Sequence, residues 1–429
     1  MAPFLLAGVL SLVIALVPAP AVAQSGPRNC TVLSQNMTVR EILDEYYLWY
    51  RELPRLNPAN YASPEAYLEA ARYRPLDSRF SYITTQAANE AYYGDSQYVG
   101  FGFSTQTTAS DVQILQVFPD SPASEAGMAR GDRLLEIDGR SIADLIATGG
   151  VSTAFGPSTP GVSVQVLFRS REGDERRATI TKRVVTIPTV SLTRTFEVDG
   201  RKVGYIFFRN FVTPSYEALD EAFEALREAG ATELVVDLRY NGGGLVDVGV
   251  HLGSLIGGVR TAGRIFATYQ HNDKNSARDK DLRFKDASPH ALALDRVVVI
   301  TTRASASASE GVINSLRPHV PVTVVGETTY GKPVGQYGFT FCGKVLAPVS
   351  FTLVNSEGQA DYFDGIEPDC RAADDVEHDL GTAEEASLGE ALHVIRTGAC
   401  SAAATSRAQR LREAPSRQAT GWAAVVNAH

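Results

Sequence analysis

A surplus of basic residues is missing from this 429-residue chain: 40 Lys and Arg stand against 49 Asp and Glu, a formal net charge of −9. That argues against nucleic acid and anionic membrane surfaces as main partners, since both need a cationic face. Cysteine is scarce. Cys30, Cys342, Cys370 and Cys400 form no CxxC spacing, so no zinc site is expected. Histidine is nearly as scarce: His251, His271, His290, His319, His378, His393 and His429 are the whole set, and none stands in a motif. After Ala23 no apolar run is long enough to span a bilayer.

Charge is also absent from residues 1–23, MAPFLLAGVLSLVIALVPAPAVA, which end in the small-x-small pattern Ala21-Val22-Ala23. This reads as a secretory signal peptide. The alternative is an uncleaved membrane anchor. Export places four cysteines in an oxidising compartment, where an even count suggests two disulfides. Cys342 and Cys370 share a strand-rich C-terminal region, and Cys30 and Cys400 flank the folded part. The expected pairs are Cys342–Cys370 and Cys30–Cys400.

What is present divides the chain into segments. Residues 24–95 read as helical: TVREILDEYYLWYREL carries Ile42, Tyr46, Trp49 and Leu53 at helical spacing up to Pro54, and Ser63-Pro64-Glu65 looks like a helix start. Residues 96–187 form a small β-rich module of alternating strands. From 188 to 400 strands and helices alternate. VGYIFF is followed by the helical SYEALDEAFEALREAG, then by the buried-type strands ELVVDLR, LDRVVVITT and VPVTVVG, which indicates an α/β core with parallel strands. Residues 401–429 have a biased composition and read as a flexible tail.

Three strand ends carry the candidate chemistry. RASASASEG, Arg303 to Gly311, leaves one buried strand and enters a helix, with Ser305, Ser307 and Ser309 spaced by alanines. A hydroxyl there lies beside helix N-terminal N–H groups that stabilise developing negative charge, and alanines leave the approach open. With no histidine in a motif, the base falls to Lys332 of GETTYGKPVGQ, at the end of the neighbouring strand. Burial would depress its pKa and let it accept a proton near neutral pH. DLRYNGGGL, Asp237 to Leu245, brings three glycines to a third strand end, where backbone N–H groups can turn toward an oxyanion.

Together these motifs resemble the carboxyl-terminal processing proteases, serine–lysine peptidases of family S41, over roughly residues 38–369. DSRFSY at 77–82, SPASEAGMARGDRLLEIDG at 121–139 and GIEPD at 365–369 agree with that family's pattern. The resemblance implies a crotonase-like α/β protease core with an inserted β-rich PDZ domain. It selects Ser307 as nucleophile, Lys332 as base and Gln336 as the lysine's helper. The implied oxyanion donors are the N–H of Ala308 and that of Gly243 or Gly244. GFGF, the residues Gly100, Phe101, Gly102 and Phe103, resembles the PDZ loop that holds a peptide carboxylate. Pro333 departs from the glycine that many members carry after the lysine. The implied activity is an exported endopeptidase, secreted or periplasmic, acting on polypeptides bound through their C-termini without cofactor or metal. An inactive peptide-binding adaptor and a small-molecule esterase or amidase are the alternatives.

Overall fold

A computed structural model describes residues 29–407, 421–426 and 429. The signal-peptide reading of residues 1–23 and most of the tail reading therefore lie outside the described residues. Among the described residues no helix is long and apolar enough to cross a membrane.

The core is a six-stranded sheet in the order Val190–Val198, Arg201–Phe208, Glu233–Asp237, Val297–Thr301, Val322–Gly326, Cys370–Arg371. The first pair is antiparallel and the rest are parallel, with Val235 beside Val298 and Val297 beside Val322. Parallel strands are buried on both faces, and here Val297–Thr301 is buried at every position. Helices Ser215–Glu228, Val246–Gly257 and Ala308–Leu316 pack on one face through Phe223, Leu252 and Ile313. Ala386–Thr397 covers the other through Leu388 and Val394.

The β-rich module is an antiparallel sheet of Phe103–Thr107, Val112–Val117, Arg133–Ile137, Ser163–Arg169 and Glu175–Thr181 around Phe103, Ile114, Leu134, Val166 and Phe168. It joins the rest of the chain through one antiparallel ribbon, Gln97–Gly100 against Arg183–Thr186. A second antiparallel sheet, Lys280–Arg283, Ile265–His271, Val349–Asn355 and Val334–Gln336, flanks the core and carries Gln336 on its edge.

The N-terminal region departs from the long helix that its aromatic spacing predicts. The first helix runs Val32–Tyr46 and ends there, because Tyr47 turns extended and Leu48 donates its N–H to the Val349 carbonyl at 2.9 Å. Tyr47 is fully buried, with its hydroxyl on Asp77 at 2.9 Å. The second helix begins as expected, at Pro64 behind a Ser63 hydroxyl that accepts from the Ala66 N–H at 3.1 Å.

Both disulfides differ from the expected pairs. Cys30 bonds Cys342, with Cα atoms 5.7 Å apart, and Cys370 bonds Cys400, at 5.3 Å. The reason is that Cys342 and Cys370 stand in different sheets. Cys342 sits in the turn between Phe339–Phe341 and Lys344–Ala347, in the small sheet against which the N-terminal helices pack. Cys370 is on the edge strand of the core sheet, and Cys400 follows the Ala386–Thr397 helix. Within residues 401–429 the described parts include two helices, Ala402–Arg407 and Gly421–Val426.

Candidate active site

Each of the three strand ends places its motif on the same edge of the core sheet, and they are stapled together. The serine turn follows Val297–Thr301. The Ser305 hydroxyl donates to the Leu238 carbonyl at 2.8 Å, and the Ser309 hydroxyl to the Asn241 carbonyl at 3.0 Å. Ala306 donates its N–H to the same Asn241 carbonyl at 3.0 Å. Two of the three hydroxyls are thus buried and committed to backbone. Ser307 lies between them and is only half-buried. Its φ of +56° is in a region that side-chain-bearing residues avoid, so the surrounding contacts must hold the turn in place.

Glu310 binds this turn to the lysine loop. One carboxylate oxygen accepts from the Ser307 N–H at 2.9 Å and from the Lys332 N–H at 2.8 Å. The other accepts from Gly331 N–H at 2.6 Å and from the Thr329 hydroxyl at 2.5 Å. Because a single oxygen serves both, the backbones of Ser307 and Lys332 are neighbours. Burial pushes the Glu310 carboxyl above its usual range, and these donors pull against that rise. Sequence reasoning did not assign this residue a role. The signal was present, since a glutamate three positions after a helix-starting serine has the spacing of a capping box.

The Lys332 side chain is buried, and its ammonium donates to Gln336 Oε1 at 2.6 Å. Gln336 Nε2 is held in turn by the Phe80 carbonyl at 2.7 Å. Burial lowers the lysine pKa to about 8, against smaller opposing pulls from the Asp77 and Glu310 carboxylates. The 77–82 motif thereby gains a place. Asp77 is fully buried and accepts from the N–H groups of Phe80 and Ser81, fixing the loop that carries the Phe80 carbonyl. Pro333 stays joined to the flanking sheet through its carbonyl, which accepts from Leu353 N–H at 3.2 Å.

The glycine loop packs directly on the serine turn. A Cβ on Gly243 would stand 2.7 Å from the Ala306 carbonyl and 2.8 Å from the Ala308 nitrogen, and its φ is +92°. Of the two glycines, Gly243 already donates its N–H to Asn241 Oδ1 at 2.9 Å. Among the described residues, the N–H groups of Gly244 and Ala308 donate to no acceptor. Gly244 is therefore better placed than Gly243 to bind an oxyanion beside Ala308. Among the described residues no histidine hydrogen-bonds to Ser307, Lys332 or Gln336; His251 pairs with Asp220 at 2.9 Å on a helix.

Gly100, Phe101, Gly102 and Phe103 line the near end of the module, all buried, with the two phenylalanine rings stacked at 6.1 Å. Between the module and the core lies a cavity of about 1220 Å³, bordered by Ala304, Ala306 and Tyr330 on the core side and by Phe155 and Lys182 on the module side.

Fold and site together define a class: an α/β core presenting a serine, a buried lysine and a glycine loop on one sheet edge, with a β-rich module inserted ahead of it. Family models narrow this further. Peptidase family S41 matches residues 202–372, its N-terminal domain matches 34–82, and a PDZ domain model matches 113–149. The chain belongs to peptidase family S41, with a crotonase-like core and a PDZ domain. It is 28% identical over 243 residues to a carboxyl-terminal-processing protease of Synechocystis sp., covering 57% of this chain and 54% of the relative. It is 25% identical over 290 residues to a CtpA-like serine protease of Staphylococcus haemolyticus, covering 67% and 55%. The chain thus spans about half the length of the curated relatives it matches. A crystal structure of a Bacteroides fragilis protein described as an S41 protease superposes with a TM-score of 0.67 at 25% identity, over 83% of this chain and 96% of that one. The photosystem II D1 C-terminal processing protease shares the fold, with a TM-score of 0.52 at 22% identity, over 80% and 93%.

Proposed function

We propose that the chain is an exported serine endopeptidase that cleaves polypeptides through an acyl-enzyme on Ser307. The observation that carries this reading is the pair of bonds from Ser307 N–H and Lys332 N–H to one Glu310 oxygen. It supports the reading because it holds the backbones of the hydroxyl-bearing Ser307 and the amine-bearing Lys332 against each other on one edge. Neutral Lys332 takes the Ser307 proton as the oxygen attacks the scissile carbonyl. The resulting oxyanion sits against the N–H groups of Ala308 and Gly244. As the tetrahedral intermediate collapses, the lysine returns the proton to the departing amine. Water then attacks the ester by the same route, and Ser307 is regenerated. Gln336 holds the lysine in line.

Substrate docking falls to the PDZ domain, whose loop at Gly100–Phe103 presents N–H groups to a chain end while the adjoining strand pairs with the peptide. Two disulfides support an oxidising compartment, in keeping with the charge-free N-terminal segment. The test is incubation of the purified chain with an unfolded polypeptide beside its Ser307→Ala variant. Fragments that vanish in the variant are expected. Fragments that persist, or none from the unaltered chain, overturn the assignment.

A further inference from the structure

The PDZ loop is occupied by the chain itself. The main-chain oxygen of His429 accepts from the N–H groups of Phe101 at 3.0 Å, Gly102 at 2.9 Å and Phe103 at 3.4 Å, and from the Tyr98 hydroxyl at 3.0 Å. His429 returns its own N–H to the Phe103 carbonyl at 2.7 Å. This is the strand-addition pattern by which such loops hold a peptide end. The His429 ring lies between Phe155 and Phe103, with centroids 4.8 and 5.9 Å away.

The preceding helix, Gly421–Val426, anchors that segment to the rest of the molecule. Trp422 packs between Tyr82 and Tyr92, at 5.6 and 5.4 Å. Val425 and Val426 are buried with Phe118, Val185 and Ile187, where the module meets the core. The Val425 carbonyl accepts from the Tyr92 hydroxyl at 2.8 Å, and the Val426 carbonyl from Arg209 at 3.4 Å. Arg209 is fully buried and touches three parts at once: Val426, Gln116 of the module at 3.2 Å, and the Tyr240 carbonyl. Tyr240 begins the turn that leads to Gly243 and Gly244. Trp422, Val426 and His429 also border the cavity that reaches Ala306, beside Ser307.

We propose that Gly421–Val426 and His429 act as an internal ligand of the PDZ domain, which competes with other polypeptide segments for Gly100–Phe103 and restricts the cavity beside Ser307 until a substrate displaces it. The inference rests on the peptidase reading for its consequence but not for the binding itself. It also names a side chain that this PDZ domain accepts: a flat ring, seated against Phe103 and Phe155. A ligand tethered in the same chain lowers apparent affinity for outside peptides in proportion to the fraction of time it is bound.

Two measurements separate the inference from the peptidase reading. In a Ser307→Ala background, a fluorescent peptide with the sequence of residues 421–429 is titrated by anisotropy into the full chain, a chain lacking residues 408–429, and a His429→Asp variant. The shortened chain and the His429→Asp variant should bind it about tenfold or more tightly than the full chain. With Ser307 intact, both should cleave an unfolded polypeptide faster than the full chain at limiting substrate. Equal peptide affinity in all three forms, or no binding by any, overturns the internal ligand. Slower cleavage by both altered forms, with their folding checked by circular dichroism, assigns the segment a purely structural role and overturns the competition. Tight peptide binding without cleavage by any form sinks the peptidase reading and leaves the internal ligand standing.

Discussion

Around Ser307 the backbone is pinned from both sides by its own domain, whereas around Gly102 it is pinned by a segment far away in sequence. Leu238, Asn241 and Glu310 hold the serine turn through buried bonds that have no counterpart in solvent. The Gly100–Phe103 loop instead spends its N–H groups on His429, which a competing chain end could replace with the same bonds. On the proposed reading, the difference is one between rigid chemistry and exchangeable docking. Buried polar groups are costly to break one at a time, while exchange of like for like costs little.

The contrast breaks most sharply at the nucleophile. Ser307→Ala should lower turnover on the order of 10⁴-fold or more while the melting transition stays in place, since the residue is half-buried and loses only its oxygen. Turnover with a purified polypeptide and thermal denaturation check both halves. Next comes Glu310→Ala, which strands the N–H groups of Ser307, Gly331 and Lys332 and the Thr329 hydroxyl. The cost should be roughly 3–5 kcal/mol by denaturant unfolding, with activity lost alongside. Removing the Cys370–Cys400 bridge by a double Cys→Ala change should cost about 3–4 kcal/mol for its 30-residue span. Mass spectrometry of a non-reduced digest should recover Cys30 with Cys342 and Cys370 with Cys400. The smallest effects belong to the flanking serines. Ser305→Ala and Ser309→Ala should each cost about 1–2 kcal/mol through a lost buried hydrogen bond, since the Leu238 carbonyl keeps the Asn241 N–H and the Asn241 carbonyl keeps the Ala306 N–H, with most turnover kept. If either is as inactive as Ser307→Ala, the rigid half of the comparison has the wrong centre.

The placement of the candidate residues was legible because it is local. A buried strand, a run of small residues and a helix place Ser307 at a sheet edge, and the neighbouring strand places Lys332 there too, so strand order alone brings them together. The family resemblance added the choice among the serines. The disulfides were not legible: pairing Cys30 with Cys342 requires knowing that the N-terminal helices pack on a small sheet 312 positions away. The first helix was read too long because its end is set by a bond from Leu48 to Val349, a tertiary partner that periodicity does not see. The tail hid for the same reason. GWAAVV is too short to signal a packed element, and its burial depends on Tyr82, Tyr92 and Phe118. Between Gly243 and Gly244 the choice turned on one side-chain bond from Asn241, which spacing leaves open.

The central claim is that Lys332 is the base, and the pH profile of kcat/KM tests it most directly, because that ratio reports ionisations of the free enzyme. The ammonium must lose its proton before it can accept one from Ser307. Its pKa is lowered to about 8, so activity should rise as pH passes upward through that value. Lys332→Arg keeps the positive charge but cannot be deprotonated, and it should be inactive across the whole range while still binding peptide. A rising limb near 8 that disappears in an inactive Lys332→Arg variant is the predicted result. A limb near 6.5, the ordinary range of histidine, together with substantial turnover by Lys332→Arg, would contradict it.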